Sequence, residues 1–179
     1  MKKKCYIYIR MKNEEIMITS ILDNALSEAS VRLYIDTVVE RVERNLENSP
    51  DDMLAWETIP LDIYGCSLPE EIKSNWVFIL RKNTITGAER HPNSIQRMVA
   101  YRGEADFQTM PGAKWVSHLL VSGKDAKWLT IPANVWHQGV VGDENWVVVS
   151  FHTCKATELI EERPDYSFSN KVNVRKYIE

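Results

Sequence analysis

Residues 87–103 read GAERHPNSIQRMVAYRG and place a glutamate, a histidine and a glutamine between two glycines. In a β-strand, side chains two residues apart point to the same face, so Glu89 and His91 are expected to project together. If the chain turns at residues 92–94 and returns as a strand from Gln96, the glutamine can meet them. The stretch therefore predicts a cluster of three side chains with metal-binding donor atoms from one strand pair.

The stretch lies within a series of short apolar segments that begins after Pro50. Turn-rich sequences separate these segments, at spacings near the roughly 8–12 residues typical of sandwiches and barrels. The segments are WVFIL (76–80), QRMVAY (96–101), WVSHLLVS (115–122), KWLTI (127–131) and NWVVVSF (145–151). The pattern predicts an antiparallel β-barrel of two facing sheets over residues 76–152.

Before Pro50 the pattern is helical. Residues 14–48 contain no glycine or proline, and they predict two helices with a break near residues 27–30. Proline cannot continue a helix, so the second helix is expected to end just before Pro50. Its apolar face would consist of Val31, Ile35, Val38, Val39, Val42 and Leu46. This face is expected to pack against the rest of the chain or, alternatively, to form a dimer interface.

The change of pattern divides the chain into three parts. These are a helical extension (1–52), a β-barrel (53–163) and a C-terminal tail (164–179) without clear pattern. Near the end of the barrel, KATELIEERP (155–164) predicts one short helix. With 179 residues, of which 44% are hydrophobic, the chain is long enough for one well-filled core.

Charge and cysteine content argue against several kinds of partner. The 22 basic and 25 acidic residues leave no basic field for nucleic acid or an anionic membrane. Cys5, Cys66 and Cys154 form no CxxC pair, which argues against a disulfide framework and cysteine-bound zinc. No signal peptide or apolar run of roughly 20 residues is present. We expect a reduced, cytoplasmic protein that binds a small molecule.

A fourth donor comes from the stretch IPANVWHQGV (131–140), where His137 follows a turn that contains Pro132. With this second stretch the sequence resembles the cupins, small RmlC-like double-stranded β-barrels (jelly rolls) that carry two short motifs. The resemblance covers about residues 76–152 and does not extend to the first 50. It implies a mainly β, cupin-type antiparallel barrel, to which this chain adds an N-terminal helical extension.

The first cupin motif runs glycine, five residues, His-x-His, three or four residues, glutamate, six residues, glycine. This sequence keeps the spacing, with Glu89 in place of the first histidine and Gln96 in place of the glutamate. Gly103 is the closing glycine, and Asn83 replaces the leading one, since asparagine tolerates the left-handed backbone. A competing register, which aligns His91-x-Asn93 with His-x-His, fits worse because only two residues then precede Gln96.

The second motif runs glycine, five residues, Pro-x-Gly, two residues, histidine, three residues, asparagine. Pro132, Asn134 and His137 keep its spacing, and Asn134 stands where glycine is usual. Ala126 and Val141 replace the first glycine and the last asparagine.

The resemblance implies that Glu89, His91, Gln96 and His137 bind one divalent metal ion. Two imidazoles and one carboxylate compose the facial triad of iron(II) sites, to which Gln96 could add a neutral oxygen; iron, nickel, manganese and zinc all suit such donors. The alternative is a metal-free barrel.

In the metal-free alternative, Glu89 pairs with Arg97 or Arg102 across the hairpin as an ordinary cross-strand contact. His118 and His152 also lie on predicted strands. We do not expect either of them among the metal ligands.

Three aromatic side chains are candidates for a substrate pocket, namely Tyr101, Trp115 and Trp136. Packing in the core is the alternative role for at least two of them.

Two functions are compatible with these features. The first is a metal-dependent enzyme acting on a small organic molecule, such as a dioxygenase or an isomerase. The second is a metal-free domain that binds or senses a small ligand without turnover. We also expect a homodimer, because packing against a second copy of the chain would bury an exposed sheet edge and an apolar helical face.

Overall fold

The computed structural model describes residues 2–65, 68–165 and 172–176. Two helices come first, α1 (Lys2–Ser27) and α2 (Ala29–Asn48). The strands are β1 (Leu54–Ile59), β2 (Ser74–Leu80), β3 (Gln96–Arg102), β4 (Glu104–Met110), β5 (Val116–Val121), β6 (Leu129–Ile131), β7 (Trp136–Val141), β8 (Trp146–His152), β9 (Ile160–Pro164) and β10 (Val172–Lys176). The predicted helix break and the helix end before Pro50 are both confirmed.

Two antiparallel sheets face each other and form the barrel. The first has the strand order β1-β2-β8-β3-β6, and the second has the order β5-β4-β7. Residues 85–90 run beside β7, with bridges from Ile85 and Glu89, and Arg90 then pairs with Glu162 of β9. The hairpin of β9 and β10 thereby extends the second sheet. The mainly β, antiparallel double-stranded barrel with an N-terminal helical extension is confirmed.

The five-stranded sheet is buried on both faces because the helices cover its outer side. In β8, Val147, Val149 and Phe151 pack in the cluster that includes the helices, whereas Trp146 and Val148 pack in the barrel interior. A strand buried on both faces has a nearly continuous apolar sequence. This burial explains the apolar run at residues 145–151.

The apolar face of α2 packs against this sheet. All six residues predicted for the face are buried, namely Val31, Ile35, Val38, Val39, Val42 and Leu46. The first of the two alternatives for this face is therefore confirmed.

Several local predictions are wrong or incomplete. Residues 155–164 do not form a helix: a 3-10 turn (Ala156–Glu158) leads into β9, which pairs with β10 in the predicted tail. Glu161, Glu162 and Arg163 have good helix propensity, but buried Glu161 forms an ion pair with Arg163 two residues along the strand. Pairing and burial thus override local preference. The sequence pattern also missed β1, β4 and β7.

Residues 87–103 do not form a single hairpin. Glu89 and Arg90 form bridges in the second sheet, whereas Gln96 begins β3 in the first sheet. Residues 92–95 carry the chain from one sheet to the other. The side chains expected on one strand pair therefore approach each other from two facing sheets.

The backbone at the motif turns has the expected left-handed conformation. Asn83 and Asn134, which stand where the cupin motifs have glycine, have φ angles of 57° and 65°. Gly103 has a φ of 77°, and a Cβ atom there would lie 2.8 Å from the carbonyl oxygen of Asn145. The left-handed residues therefore lie where the motif spacing predicted them.

Within the described ranges, neither helix is both long enough and apolar enough to cross a membrane. Cys154 is a free, buried cysteine, and burial raises the pKa of its thiol. Cys66 and the side chain of Cys5 lie outside the part of the chain that the structure describes.

A buried arginine of the barrel forms an ion pair with α1. Arg97 of β3 points to the helices, is 1% exposed, and forms ion pairs with Glu15 of α1 and with Glu71, each at 2.6 Å. Burial raises the pKa of Glu15, but the hydrogen bonds and charge of Arg97, with a hydrogen bond from Thr130, lower it more. The net pKa of Glu15 lies below its usual value.

A carboxyl whose pKa is lower in the folded state contributes stability above its unfolded pKa, which is lost as the pH falls through the folded value. We therefore expect E15Q to be less stable than the wild type at pH 7, with the difference shrinking as the pH falls below about 4.5. Urea unfolding at several pH values measures this. Glu14 is exposed and supplies the matched control E14Q; a stability gap for E15Q that is independent of pH would contradict the expectation.

Asn134 allows a test of the left-handed turn. We expect N134A to lower the free energy of unfolding by about 1 kcal/mol, since alanine is disfavoured in the left-handed conformation and lacks the polar side chain with which asparagine tolerates it. N134G should leave stability nearly unchanged because glycine adopts this backbone readily. Thermal and urea unfolding of the two variants give the comparison, and equal losses would show that the turn does not require the left-handed conformation.

Candidate functional site

Two residues of the site, Glu89 and His137, lie opposite each other on adjacent antiparallel segments. The backbone N–H of Glu89 donates to the carbonyl oxygen of His137 at 2.9 Å, and that of His137 donates back at 2.8 Å. Residues paired in this way place their side chains on the same face. As a result, Oε1 of Glu89 lies 3.5 Å from Nε2 of His137.

His91 completes a cluster of three possible ligands. One donor atom from each of Glu89, His91 and His137 lies within 4.8 Å of the others, and the two imidazole centroids are 5.2 Å apart. The histidines are 6% and 1% exposed. The predicted convergence of these three side chains is therefore present in the structure, and their role as metal ligands stays a prediction.

Backbone carbonyls fix the tautomers of both histidines. Nδ1 of His91 lies 3.0 Å from the carbonyl oxygen of Ile160, and Nδ1 of His137 lies 3.0 Å from that of Val135. A carbonyl oxygen only accepts, so each Nδ1 carries the proton and donates it. In the neutral form of each ring, Nε2 then keeps the lone pair with which histidine binds metals.

The charge states also suit a cation. Burial raises the pKa of Glu89, but the His137 imidazole, followed by the charges of His91 and Arg163, outweighs burial and brings the pKa to about 2. Burial, followed by repulsion from His137, lowers the pKa of His91. At neutral pH the cluster therefore contains an ionised carboxylate beside a neutral His91.

Gln96 approaches from the opposite sheet. Its side-chain nitrogen donates to Oγ of Ser150 at 3.0 Å, while its Oε1 is buried and has no hydrogen-bond partner among the described residues. Nε2 of His137 is buried without a hydrogen bond in the same way. Buried acceptors without donors are costly, and a cation would satisfy both. The donor set therefore fits a divalent metal ion.

These four side chains line a small cavity inside the barrel, with a volume of about 40 Å³. The rest of its wall is mainly apolar and consists of Leu54, Phe78, Leu80, Thr86, Met98, Phe107, Gln138, Trp146 and Val148. The volume is close to that of one water molecule, roughly 30 Å³.

The structure places the three aromatic residues predicted for a substrate pocket elsewhere. The hydroxyl of Tyr101 donates to Asp36 of α2 at 2.6 Å, Trp115 is 40% exposed, and the ring of Trp136 lies under the guanidinium of Arg90. None is among the described residues that line the cavity.

Strand alternation explains two of these corrections. Trp136 directly precedes His137 on β7, and adjacent residues of a strand face opposite sides. Tyr101 lies an odd number of residues from Gln96 on β3, so it faces the helices.

Two other histidines lie outside the cluster, as expected. His152 is fully buried, with Nε2 3.1 Å from Oγ of Ser150, and burial holds its pKa well below the usual value. Nε2 of His118 on β5 lies 2.9 Å from Oγ1 of Thr109.

The carboxylate of Glu89 also pairs with an arginine that neither motif indicated. Oε2 of Glu89 accepts a hydrogen bond from Arg163 of β9 at 2.5 Å. The alternative pairing with Arg97 or Arg102 is wrong: Arg97 binds Glu15 and Glu71, and Arg102 binds Glu43.

Sequence comparisons return no relatives: no protein-family model matches the chain, and no curated protein matches it. Similar solved structures include the capsular polysaccharide assembling protein CapF from Staphylococcus aureus (14% identity, 58% of this chain and 27% of CapF, TM-score 0.47). The coconut allergen cocosin has 17% identity and a TM-score of 0.49, and the match covers 63% of this chain and 29% of cocosin. Oxalate oxidase bound to the substrate analogue glycolate has 16% identity to this chain and a TM-score of 0.45. The match covers 57% of this chain and 52% of oxalate oxidase.

The chain spans less than a third of CapF and of cocosin. At these identities the similarities assign no function.

The histidine tautomers can be measured directly. In the metal-free protein we expect His91 and His137 to carry their proton on Nδ1, and His91 to stay neutral at pH values somewhat below 6.5. Long-range ¹H–¹⁵N correlation spectra of the imidazoles, recorded over a pH titration, distinguish the tautomers. A proton on Nε2 of either histidine at neutral pH would contradict the proposed geometry, and H91A and H137A spectra assign the signals.

Proposed function

We propose that the barrel binds one divalent metal ion through Glu89, His91 and His137, with Gln96 as a fourth donor, and that the protein is a metal-dependent enzyme acting on a small organic molecule. The observation that carries this proposal is the buried Nε2 atom of His137, which has no hydrogen bond and faces the ionised carboxylate of Glu89 in the cluster that His91 completes. A facial set of two imidazoles and one carboxylate leaves open coordination positions. An oxygenase or an isomerase is the class of enzyme proposed.

Each side chain has a defined task in this proposal. Glu89 supplies the negative charge, and the imidazoles supply neutral nitrogen donors whose direction the carbonyls of Ile160 and Val135 fix. Iron, nickel, manganese or zinc would suit these donors, and the bound ion would polarise an oxygen atom of the substrate.

The apolar wall has a separate task. Met98, Phe107 and Trp146 keep bulk water away from the donors, which strengthens electrostatic interactions inside the cavity.

A groove beside the cavity gives the substrate room. The cavity of about 40 Å³ is too small for most organic molecules, but a groove of about 420 Å³ shares Leu54 and Thr86 with its wall. Trp56, Arg163 and Arg175 also line the groove. We propose that the substrate lies in the groove and reaches the metal past Thr86.

A metal-free domain that binds or senses a small ligand is the second candidate. The observation that favours it is the ion pair between Glu89 and Arg163, since it gives the carboxylate a partner without a metal. The two candidates differ in one measurable property, the metal content of the purified protein.

The expectations of a homodimer and of a reduced cytoplasmic location remain proposals. Cys154, a free buried thiol, suits a reducing compartment. The edge strand β1 of the first sheet is a surface on which a second copy could pack.

Metal content tests the proposal. We expect the purified protein to contain close to one equivalent of a divalent transition metal by elemental analysis, and the metal-stripped protein to bind added Co²⁺ with visible absorption bands. E89Q keeps the shape but removes the charge, and we expect it to weaken Co²⁺ binding by roughly 100-fold or more, since even partners of the ligands contribute 10–100-fold.

H118A is the matched control, because it removes a barrel histidine outside the cluster and should bind Co²⁺ like the wild type. If the wild type neither contains nor binds metal, the enzyme proposal fails and the metal-free binding domain takes its place.

A further inference from the structure

Strand β9 contacts the segment that carries two of the three clustered side chains. The backbones of Arg90 and Glu162 exchange two hydrogen bonds, at 3.0 and 2.9 Å, and their side chains form an ion pair at 2.7 Å. Asn93, a little further along, bonds the backbone of Glu158 and of Ile160. The segment that carries Glu89 and His91 is therefore held on one side by β7 and on the other by the chain around β9.

Arg163 uses all three of its guanidinium nitrogens at this junction. Nε donates to Glu161 at 2.6 Å, Nη1 donates to the carbonyl oxygen of Thr86 at 2.9 Å, and Nη2 donates to Oε2 of Glu89 at 2.5 Å. Thr86 and Glu89 belong to the same segment. One side chain of β9 thus holds both the backbone of this segment and the carboxylate that it carries.

The contact decides which oxygen of Glu89 faces the histidines. A carboxylate rotates with little preference about its last bond, so its two oxygens are interchangeable unless something distinguishes them. Arg163 holds Oε2, and Oε1 is left facing Nε2 of His137 at 3.5 Å.

Glu161 in turn holds Arg163. The Glu161 side chain is fully buried and accepts from Nε of the guanidinium. The charge-assisted contacts on both sides of Arg163 are stronger than neutral hydrogen bonds.

We propose, on the basis of the metal site proposed above, that Arg163 is a positioning residue of that site and that β9 is a required part of it. Arg163 orients Glu89 toward the ion without touching the ion. Its positive charge opposes binding of a cation, so its benefit comes from geometry. The planar fork of arginine supplies this geometry, and the single ammonium of lysine cannot.

R163K separates geometry from charge, because lysine keeps the positive charge but cannot hold three acceptors in one plane. We expect metal-stripped R163K to bind Co²⁺ about 10–100-fold more weakly than the wild type, the range typical when a partner that orients a ligand is lost. The visible absorption bands of the bound Co²⁺ should also change, since they report the arrangement of the ligands. A loss of stability alone would not alter these bands in the folded protein.

R41K is the matched control: Arg41 of α2 also donates two hydrogen bonds to a glutamate, Glu57, and neither residue is among the described residues that line the cavity. It should bind Co²⁺ with the affinity and spectrum of the wild type. Thermal unfolding of each metal-stripped protein shows whether it is folded at the assay temperature.

The outcomes separate this inference from the function on which it rests. A folded R163K with wild-type Co²⁺ affinity and spectrum overturns the positioning role and leaves the metal site intact. A wild type that binds no Co²⁺ overturns both proposals. If R163K does not fold, E161Q takes its place as the test variant, because the substitution weakens the contact that holds Arg163 and leaves Glu89 unchanged. Weaker Co²⁺ binding by folded E161Q supports the inference. Unchanged Co²⁺ binding overturns the inference.

Discussion

The reciprocal backbone pairing of Glu89 with His137 is the contact on which the candidate site depends. The two hydrogen bonds place a carboxylate and an imidazole on the same face of the second sheet, and His91 follows two residues later on that face. The facing sheet supplies Gln96, and the helices on its outer side bury the apolar side chains that point away from the barrel interior. The barrel, the helical extension and the β9 hairpin all contribute to keeping this pair in place.

The barrel and the identity of the clustered side chains could be predicted from the sequence. Helical and strand periodicities differ sharply on the two sides of Pro50, and motif spacing indicated Glu89, His91, Gln96 and His137. The spacing also placed Asn83 and Asn134 at left-handed turns. These features depend on local pattern, which a sequence displays directly.

The rest of the site depends on contacts between distant parts of the chain. Arg163 lies 74 residues from Glu89, and it follows two glutamates that favour a helix. The local signal for Arg163 was its spacing of two residues from Glu161, which places both side chains on one face of a strand. Side chains alternate between the two faces of a strand, so Trp136 and His137 point in opposite directions. The sequence alone was therefore enough to place Trp136 away from the cluster.

Anomalous diffraction from crystals grown with Mn²⁺ or Co²⁺ would locate a bound ion relative to the clustered side chains. We expect a single strong anomalous peak in the barrel, within bonding distance, roughly 2.0–2.2 Å for zinc-like ions, of Glu89, His91 and His137. A metal-free cluster at saturating metal concentration, or an ion bound elsewhere while Nε2 of His91 and His137 remains unliganded, would contradict this expectation.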